Sequence, residues 1–421
     1  MAAPVRLYSL PPASGGGPVV SFHKGLEALS RAHSVECIGS QDFVTSAQEF
    51  AAYATDADRR VLRVLAVADG EGRTVGDLWR SMPARVGPRA PVDEGDPAWD
   101  PALVAPVVAV ADQGAGPGAD AVVGSLSVVA PLGENTDCAT VSVQLSAPWR
   151  HQGLDALLLR LGEAVTRSWG RTTAQYWTDC PGWVEVGSPL GVKGVSKPVP
   201  GVSGAHASPL GTPETDMLAR AGYVPAHSEW VTTLDVDRTP SREADPVPGY
   251  EVVSWSSPRS PEHLLDQLAE IYALASTDMP SGGLTEEAQL WDAGRVMRKE
   301  ALAERSHQEW VVTAVRPVGG ELVGWTTLVL SPTVAEIAFQ EGTLIRGDHR
   351  RRGLARWIKR VNLAQLRARH PQVRRIHTWT DGDNAPVIAL NRGIGFRHSL
   401  MEVGWQKDLH AHQRSGEGPD E

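Results

Sequence analysis

The chain has 421 residues, too many for one ordinary domain and suited to two of about 150 to 200 residues each. Its 42% hydrophobic content allows a sizeable core in both, while a formal net charge of -10 gives no global attraction for nucleic acid or anionic lipid. No apolar run approaches the roughly 18 residues of a membrane span and "MAAPVRLYSLPPASGGG" has no signal-type apolar core, so a cytoplasmic protein working without nucleic acid or membrane is expected.

In chain order, the first half is interrupted by "ARVGPRAPVDEGDPAWDPA" around residue 92, "DQGAGPGAD" at 112–120 and a long glycine- and proline-rich stretch before residue 215. These read as loops or insertions. Between them "DAVVGSLSVVAPLGENTDCATVSVQLS" reads as strands, followed by a basic turn and a helix whose apolar stripe is Leu154, Leu157, Leu158, Leu161 and Val165. The three cysteines, Cys37, Cys138 and Cys180, are odd in number and widely spaced, which favours reduced thiols over disulfides or zinc, and no metal is expected. Proline, glycine and charge then gather from Asp235 to Glu251. That punctuation divides the chain into units 1–240 and 249–412, with a disordered tail over 413–421.

In the second half, "GYEVVSW" and a hairpin across "VGGE" give strands. "PEHLLDQLAEIYALAST" and "TEEAQLWDAGRVMRKEALAE" have helical spacing. The strand "AEIAFQEGTLI" leads into "HRRRGLARWIK", where Leu354, Trp357, Ile358 and Val361 mark a helix starting near Gly353, with Lys359, Arg360 and Arg367 on its other faces. A strand "VRRIHTWT" and a short helix in "NAPVIALNRGIGF" complete the half. The same order occurs in the first half, so the chain reads as two copies of one fold.

A strand that ends in Arg-x-x-Gly-x-small and opens a helix leaves several backbone N–H groups without partners at the positive end of the helix dipole. Phosphate is the natural occupant, Gly353 permits close approach, and the small Ala355 keeps the first turn clear. A nucleic-acid patch does not fit the overall charge, and neither G-x-x-x-x-G-K-[ST] nor G-x-G-x-x-G after a strand is present. A diphosphate is the expected ligand.

Arg350-Arg351-Arg352-Gly353-Leu354-Ala355 after "EGTLI", followed by "HTWTDGDNAPVIALNRGIGF", resembles the acyl-CoA-binding core of the GNAT superfamily of N-acyltransferases over about residues 249 to 410. The wording is most similar to that of its two-domain actinobacterial members, a group that includes mycothiol synthase. The resemblance implies an α/β (α+β) fold of two tandem domains, each a mixed, mostly antiparallel sheet split between strands 4 and 5 and flanked by helices. It implies acetyl-CoA as acyl donor, its diphosphate on the amides around Arg351 to Ala355, and Arg356 or Lys359 near its 3′-phosphate. Direct attack by a small-molecule primary amine (amino acid, amino sugar or natural-product intermediate) would occur in the C-terminal cleft. The alternatives are a mycothiol-synthase-like acetylation of an amino-sugar thiol conjugate and a non-catalytic acyl-CoA-binding protein.

For the chemistry, a base is needed because a free alkylamine is mostly protonated at neutral pH. Glu341 is the first candidate and Glu336, on the same strand, the second. A backbone N–H near Leu344 or Ile345 would meet the developing oxyanion. Many relatives carry Tyr four residues before the glycine of the Gly-Phe pair; here Asn391 stands there and could bind the thiol without being an acid. Asn384 is a cofactor contact or a helix cap. Asp278 and Met279, in the turn between the first two helices of the second unit, are candidate substrate contacts, and Glu286 could attract a cation. Trp325, Trp379 and Trp405 fall on predicted strands, where core packing is the usual role.

The first half is a worse copy. Arg150-His151-Gln152-Gly153-Leu154-Asp155 ends in a carboxylate, which about 5 Å from one diphosphate charge costs roughly 3 kcal/mol at an effective dielectric of 20. Leu218 occupies the place of Asn391. This half is expected to complete the acceptor site or replace a partner subunit, leaving the protein a monomer with an internal pseudo-twofold rather than a homodimer.

Overall fold

The computed structural model describes residues 4–10, 21–82, 107–109, 121–150, 152–180, 212–240 and 245–410. The insertions around residue 92, at 112–120 and before residue 211, His151 and the tail at 413–421 lie outside these residues, as do the side chains of Cys37 and Cys180. Cys138 is a buried free thiol.

The first half runs β1 (Val5–Leu10), α1 (Ser21–Ile38), α2 (Ala47–Tyr53), β2 (Arg59–Ala68), α3 (Val75–Ser81), β3 (Val107–Ala109), β4 (Val122–Pro131), β5 (Cys138–Leu145), α4 (Leu154–Ser168), β6 (Thr173–Cys180), α5 (Pro213–Arg220) and β7 (Val224–Asp235). The second runs β8 (Tyr250–Trp255), α6 (Leu265–Asp278), α7 (Ala293–Arg305), β9 (Glu309–Pro317), β10 (Gly324–Leu330), β11 (Ile337–Ile345), α8 (Leu354–Arg369), β12 (Arg375–Asp381), α9 (Ala385–Ile394) and β13 (Arg397–Asp408). Apart from the extra α3 and β3 in the first half, the two series match.

The helices form where the apolar periodicity lies. Leu154, Leu157, Leu158, Leu161 and Val165 are all buried against the sheet, as are Leu354, Trp357 and Ile358. The stretch "TEEAQLWDAGRVMRKEALAE" is helical only from Ala293, where the Asp292 carboxylate caps the Arg295 amide at 2.6 Å. Its earlier residues are held extended by the first half: the Leu290 amide donates to Glu134 (2.6 Å) and the Asn135 amide to Glu287 (2.7 Å). Tertiary bonds override helical propensity there.

The described strands form one 13-stranded sheet in the order β3-β1-β2-β4-β5-β6-β13-β7-β12-β11-β10-β9-β8. The two halves have exchanged their last strands: β13 pairs with β6, and β7 pairs with β12. The expected split between the fourth and fifth strands occurs twice. β11 and β12 are paired in parallel only over Ile337–Phe339 and Arg375–His377, and β5 and β6 only over Cys138–Thr140 and Thr173–Gln175. Beyond those residues the strands diverge.

A polar knot joins the halves. Asp42, 2% exposed, accepts from Arg375 (2.6 and 2.8 Å) and His377 (2.9 Å), while His377 meets Thr233 at 2.9 Å. Burial alone would raise the Asp42 carboxyl, but the His377 and Arg375 hydrogen bonds more than reverse it and hold it well below the usual carboxylate range. Trp325 and Trp405 are core residues, and Trp379 is half-buried with its indole donating to Glu402 at 2.7 Å.

Candidate active site

Divergence of β11 from β12 opens a cleft of about 1070 Å³ that runs to the N-terminus of α8. At that helix start, His349 and Arg350 still donate their amides to the carbonyls of Arg346 and Gly347, and Trp357 donates to Gly353. Between them the amides of residues 351–356 have no acceptor among the described residues. Arg351 has φ of 60° and Gly353 φ of 83°, so left-handed residues gather these N–H groups into a concave cluster. A Cβ on Gly353 would meet nothing within 4 Å, so the space above the amides is open. These donors and the adjoining, mostly apolar slot fit a diphosphate carrying a slender arm.

The arginines divide their tasks. Arg350, expected beside the phosphates, is instead a clamp: its Nε donates to the Ile345 carbonyl at 2.8 Å and its Nη2 pairs with Asp278. Asp278, expected to touch substrate, is therefore engaged at the cleft mouth, beside the exposed Met279. Arg352 turns back toward the Asp348 carbonyl at 3.3 Å. Arg351, Leu354, Ala355 and Arg356 line the cleft. Asn384 lines it too while capping α9 through the Val387 amide (3.3 Å).

Along β11, the Arg346 amide donates to the Val323 carbonyl on the β10 side at 2.8 Å. Strand alternation turns the Leu344 amide the same way and the Thr343 and Ile345 amides into the cleft. Both expected oxyanion donors, Leu344 and Ile345, line the cleft, but of their amides only that of Ile345 is turned into it, alongside that of Thr343.

The first half repeats the architecture and closes it. Arg150 clamps Leu145 and Glu36 as Arg350 clamps Ile345 and Asp278. The Asp155 carboxylate, however, takes the Ala156 amide at 2.9 Å, and Trp79 on α3 donates to the Gly153 carbonyl at 3.4 Å, laying an indole over the turn. Between β5 and β6 the buried Tyr176 hydroxyl accepts from the Val143 amide (3.2 Å) and donates to Glu214 (2.8 Å). Register makes Thr378 the counterpart of Tyr176, so where the second half has a slot the first has a phenol ring.

Residues 268–396 match the family model described as the Acetyltransferase (GNAT) family. That match, over residues 268–396, lies wholly within the second half of this chain. Over its whole length the chain is similar in fold to a tandem GNAT protein from the clavulanic acid biosynthesis pathway, with a TM-score of 0.64, 17% identity, 99% of this chain covered and 100% of that one. It also resembles a GCN5-related N-acetyltransferase from Sphaerobacter thermophilus, with a TM-score of 0.52, 15% identity and 96% of each chain covered. No curated protein matches the sequence. At such identities the likeness is one of fold.

Within the matched residues, Glu341 sits on a β-bulge. Thr326 faces Thr343 but Leu328 faces Gln340, so β11 carries an extra residue opposite Thr327. The buried Gln340 side chain folds back to Thr326 Oγ1 (3.0 Å) and the Thr327 carbonyl (2.8 Å), satisfying the disrupted ladder. Gly342 is required because the Trp325 ring would lie 2.5 Å from a Cβ there. Glu341 makes no ion pair among the described residues and lines both the cleft and a second cavity. Glu336 lines neither: it precedes β11, is exposed, and its carbonyl accepts from the amides of Arg374 and Arg375.

Asn391 is buried in the cleft wall, donating to Thr380 Oγ1 at 3.2 Å and accepting from Lys359 Nζ at 2.8 Å. Lys359 thus departs from its expected surface position: it is 5% exposed, and burial lowers its ammonium to about 7. The sequence signal for this was its place four residues after Ala355 and four before Leu363, a second inward stripe of α8.

The sequence reading also missed a row of four carboxylates across the exchanged strands, Asp179, Glu402, Glu229 and Asp381, each opposite the next. His227 lies 3.6 Å from Glu229 and 3.5 Å from Asp381, and those two carboxylates reach the cleft. Among the described residues no group of three or more His, Cys, Asp or Glu is arranged to hold a metal, and no helix is long and apolar enough to cross a membrane.

The second cavity, about 610 Å³, lies between the halves. Tyr53, Glu134 and Gln175 line it from the first half and Tyr272, Lys299 and Trp325 from the second, and it meets the cleft at Glu341 and Gly342. The segment ahead of α7 closes one side, with the Gly283 amide bonded to the Ala226 carbonyl at 2.6 Å.

Proposed function

We propose that the protein transfers an acetyl group from acetyl-CoA to the primary amine of a small molecule, with donor in the β11–β12 cleft and acceptor in the second cavity. The observation that carries this reading is Glu341, an unpaired carboxylate on a bulge at the one place where the two cavities meet. The free amides of residues 351–356, with Arg351 and Arg356 alongside, would hold the diphosphate end, and the slot beside Thr378 the pantetheine arm. When bound, acetyl-CoA supplies the thioester whose C–S bond is exchanged for the new C–N bond.

Each protein group then has one task. Glu341 takes the amine proton, directly or through water. The Thr343 and Ile345 amides donate to the carbonyl oxygen as negative charge gathers on it. Lys359, ammonium and hydrogen-bonded to Asn391, provides the proton that the departing thiolate needs, a task Asn391 alone cannot perform. The units 1–240 and 249–412 divide the work: the second binds the donor, and the first walls the acceptor cavity in place of a second subunit, so the chain acts as a monomer.

The test is thiol release from acetyl-CoA with a panel of primary amines, in the native chain and in Glu341→Gln. The variant should lose about 100-fold or more in kcat while binding acetyl-CoA unchanged. Equal kcat would remove Glu341 from the mechanism. Turnover confined to amino-sugar thiol conjugates would favour the mycothiol-synthase-like alternative, and binding without turnover of any amine would make the protein an acyl-CoA binder.

A further inference from the structure

The chamber between the halves carries chemistry that narrows its occupant. Most of its charges are already spoken for: Arg295 pairs with Glu134 at 2.8 Å, Arg59 with Asp56 at 3.4 Å, and Asp58 with Arg298 at 2.9 Å. Lys299 is different. It makes no ion pair among the described residues, and its Nζ lies 5.5 Å from the Tyr272 ring centre and 5.2 Å from that of Trp310. The carboxylates following it on α7 are turned elsewhere, Glu300 to the Ser260 amide (3.1 Å) and Glu304 to Arg259 (2.8 Å).

From Lys299 the aromatic wall leads to Glu341. Tyr272 packs edge-on against Trp325 with centres 5.1 Å apart, and Trp325 covers Gly342, the residue after Glu341. Trp291 packs against the same tyrosine at 5.0 Å. Among the described residues an unpaired cation, Lys299, and an unpaired carboxylate, Glu341, thus stand at two places in one cavity, separated by flat apolar surface, while Glu286, also on the lining, interacts with the charge of His227.

We infer that this chamber binds an amino carboxylate: its nitrogen at Glu341, its carboxylate at Lys299, and an apolar or planar body between them against Tyr272 and Trp325. The inference rests on the reading of Glu341 as the transfer end, and it goes beyond that reading by fixing a second charge on the acceptor. A single ammonium with no cluster of backbone donors beside it matches a monoanion rather than a phosphate. With the Tyr272 and Trp325 rings standing between the two charges, the site suits a carboxylate several bonds from the nitrogen, as in an ω-amino acid, rather than one on the adjacent carbon. A bare alkylamine would fill the wall and leave Lys299 unmatched.

Calorimetry on the full chain tests this without any turnover. Aminohexanoate and para-aminomethylbenzoate are titrated beside pentylamine and benzylamine, which lack only the carboxylate. The carboxylate-bearing member of each pair should bind about tenfold more tightly or better, and Lys299→Met should erase the difference while Lys299→Arg keeps part of it. Equal affinities within each pair, or discrimination that survives Lys299→Met in a variant of native circular dichroism, would overturn the assignment. A failure of the transferase reading looks different: the amino carboxylates bind with this preference, yet no thiol is released from acetyl-CoA.

Discussion

In the proposed mechanism Lys359 serves chemistry at the expense of stability. Enclosed between α8 and α9, with Asn391 as its hydrogen-bond acceptor, its ammonium is lowered by burial to about 7 from the ordinary 10.5. The folded chain therefore releases this proton earlier than the unfolded chain, which holds it up to about pH 10.5. Stability rises as pH climbs through that window, and the full cost of burying the charge is present below pH 7. Lys359→Met should accordingly gain stability at pH 6, by up to a few kcal/mol, with the gain fading toward pH 10. Its turnover should fall at every pH. Urea titrations at several pH values, read beside kcat, check both; a variant less stable than the native chain at pH 6 contradicts the account. Glu341 was legible as a candidate because it lies on the strand entering the glycine turn. The bulge that lets it face two cavities was not, since it depends on Gln340 folding back to Thr326 and Thr327 on the neighbouring strand.

At the scale of elements, the exchange of β7 and β13 sets four carboxylates side by side, an arrangement that costs stability when all are charged. Burial, and then the charge of Asp179, pushes the Glu402 carboxyl up to about 8. A carboxyl raised above its unfolded value of 4.5 keeps its proton in the folded chain after the unfolded chain has lost it, so stability falls as pH rises from about 4.5 through 8. Glu402→Gln can still accept from the Trp379 indole. It should be nearly neutral at pH 5 and more stable than the native chain by up to a few kcal/mol at pH 8, as thermal unfolding at the two values would show. An equal effect at both would mean that Glu402 is ionised throughout. Local pattern reveals such a row poorly: the alternation within β7 and β13 is compatible with either neighbour, and only the exchange fixes which acids meet. The same limit explains the residues before α7, whose helical spacing is real but whose backbone is taken by Glu134 and Asn135 of the other half.

Across the whole molecule, the repeated order of elements and the glycine turns at 153 and 353 could be read from the chain, because each is written in local periodicity and motif, whereas the split sheet was implied only by the family resemblance. The difference between the copies was legible only in part. Asp155 signalled an impaired first site, but the Trp79 indole over its turn and the Tyr176 ring in its slot come from distant segments. On the proposed function, these two aromatic plugs leave the second cleft as the coenzyme site and free the first half to wall a chamber for the acceptor. The most direct measurement of this division is calorimetric titration of acetyl-CoA into the native chain, Gly353→Glu and Gly153→Glu. The account predicts one site per chain, abolished by Gly353→Glu and unchanged by Gly153→Glu; two sites, or unaltered affinity in Gly353→Glu, would contradict it.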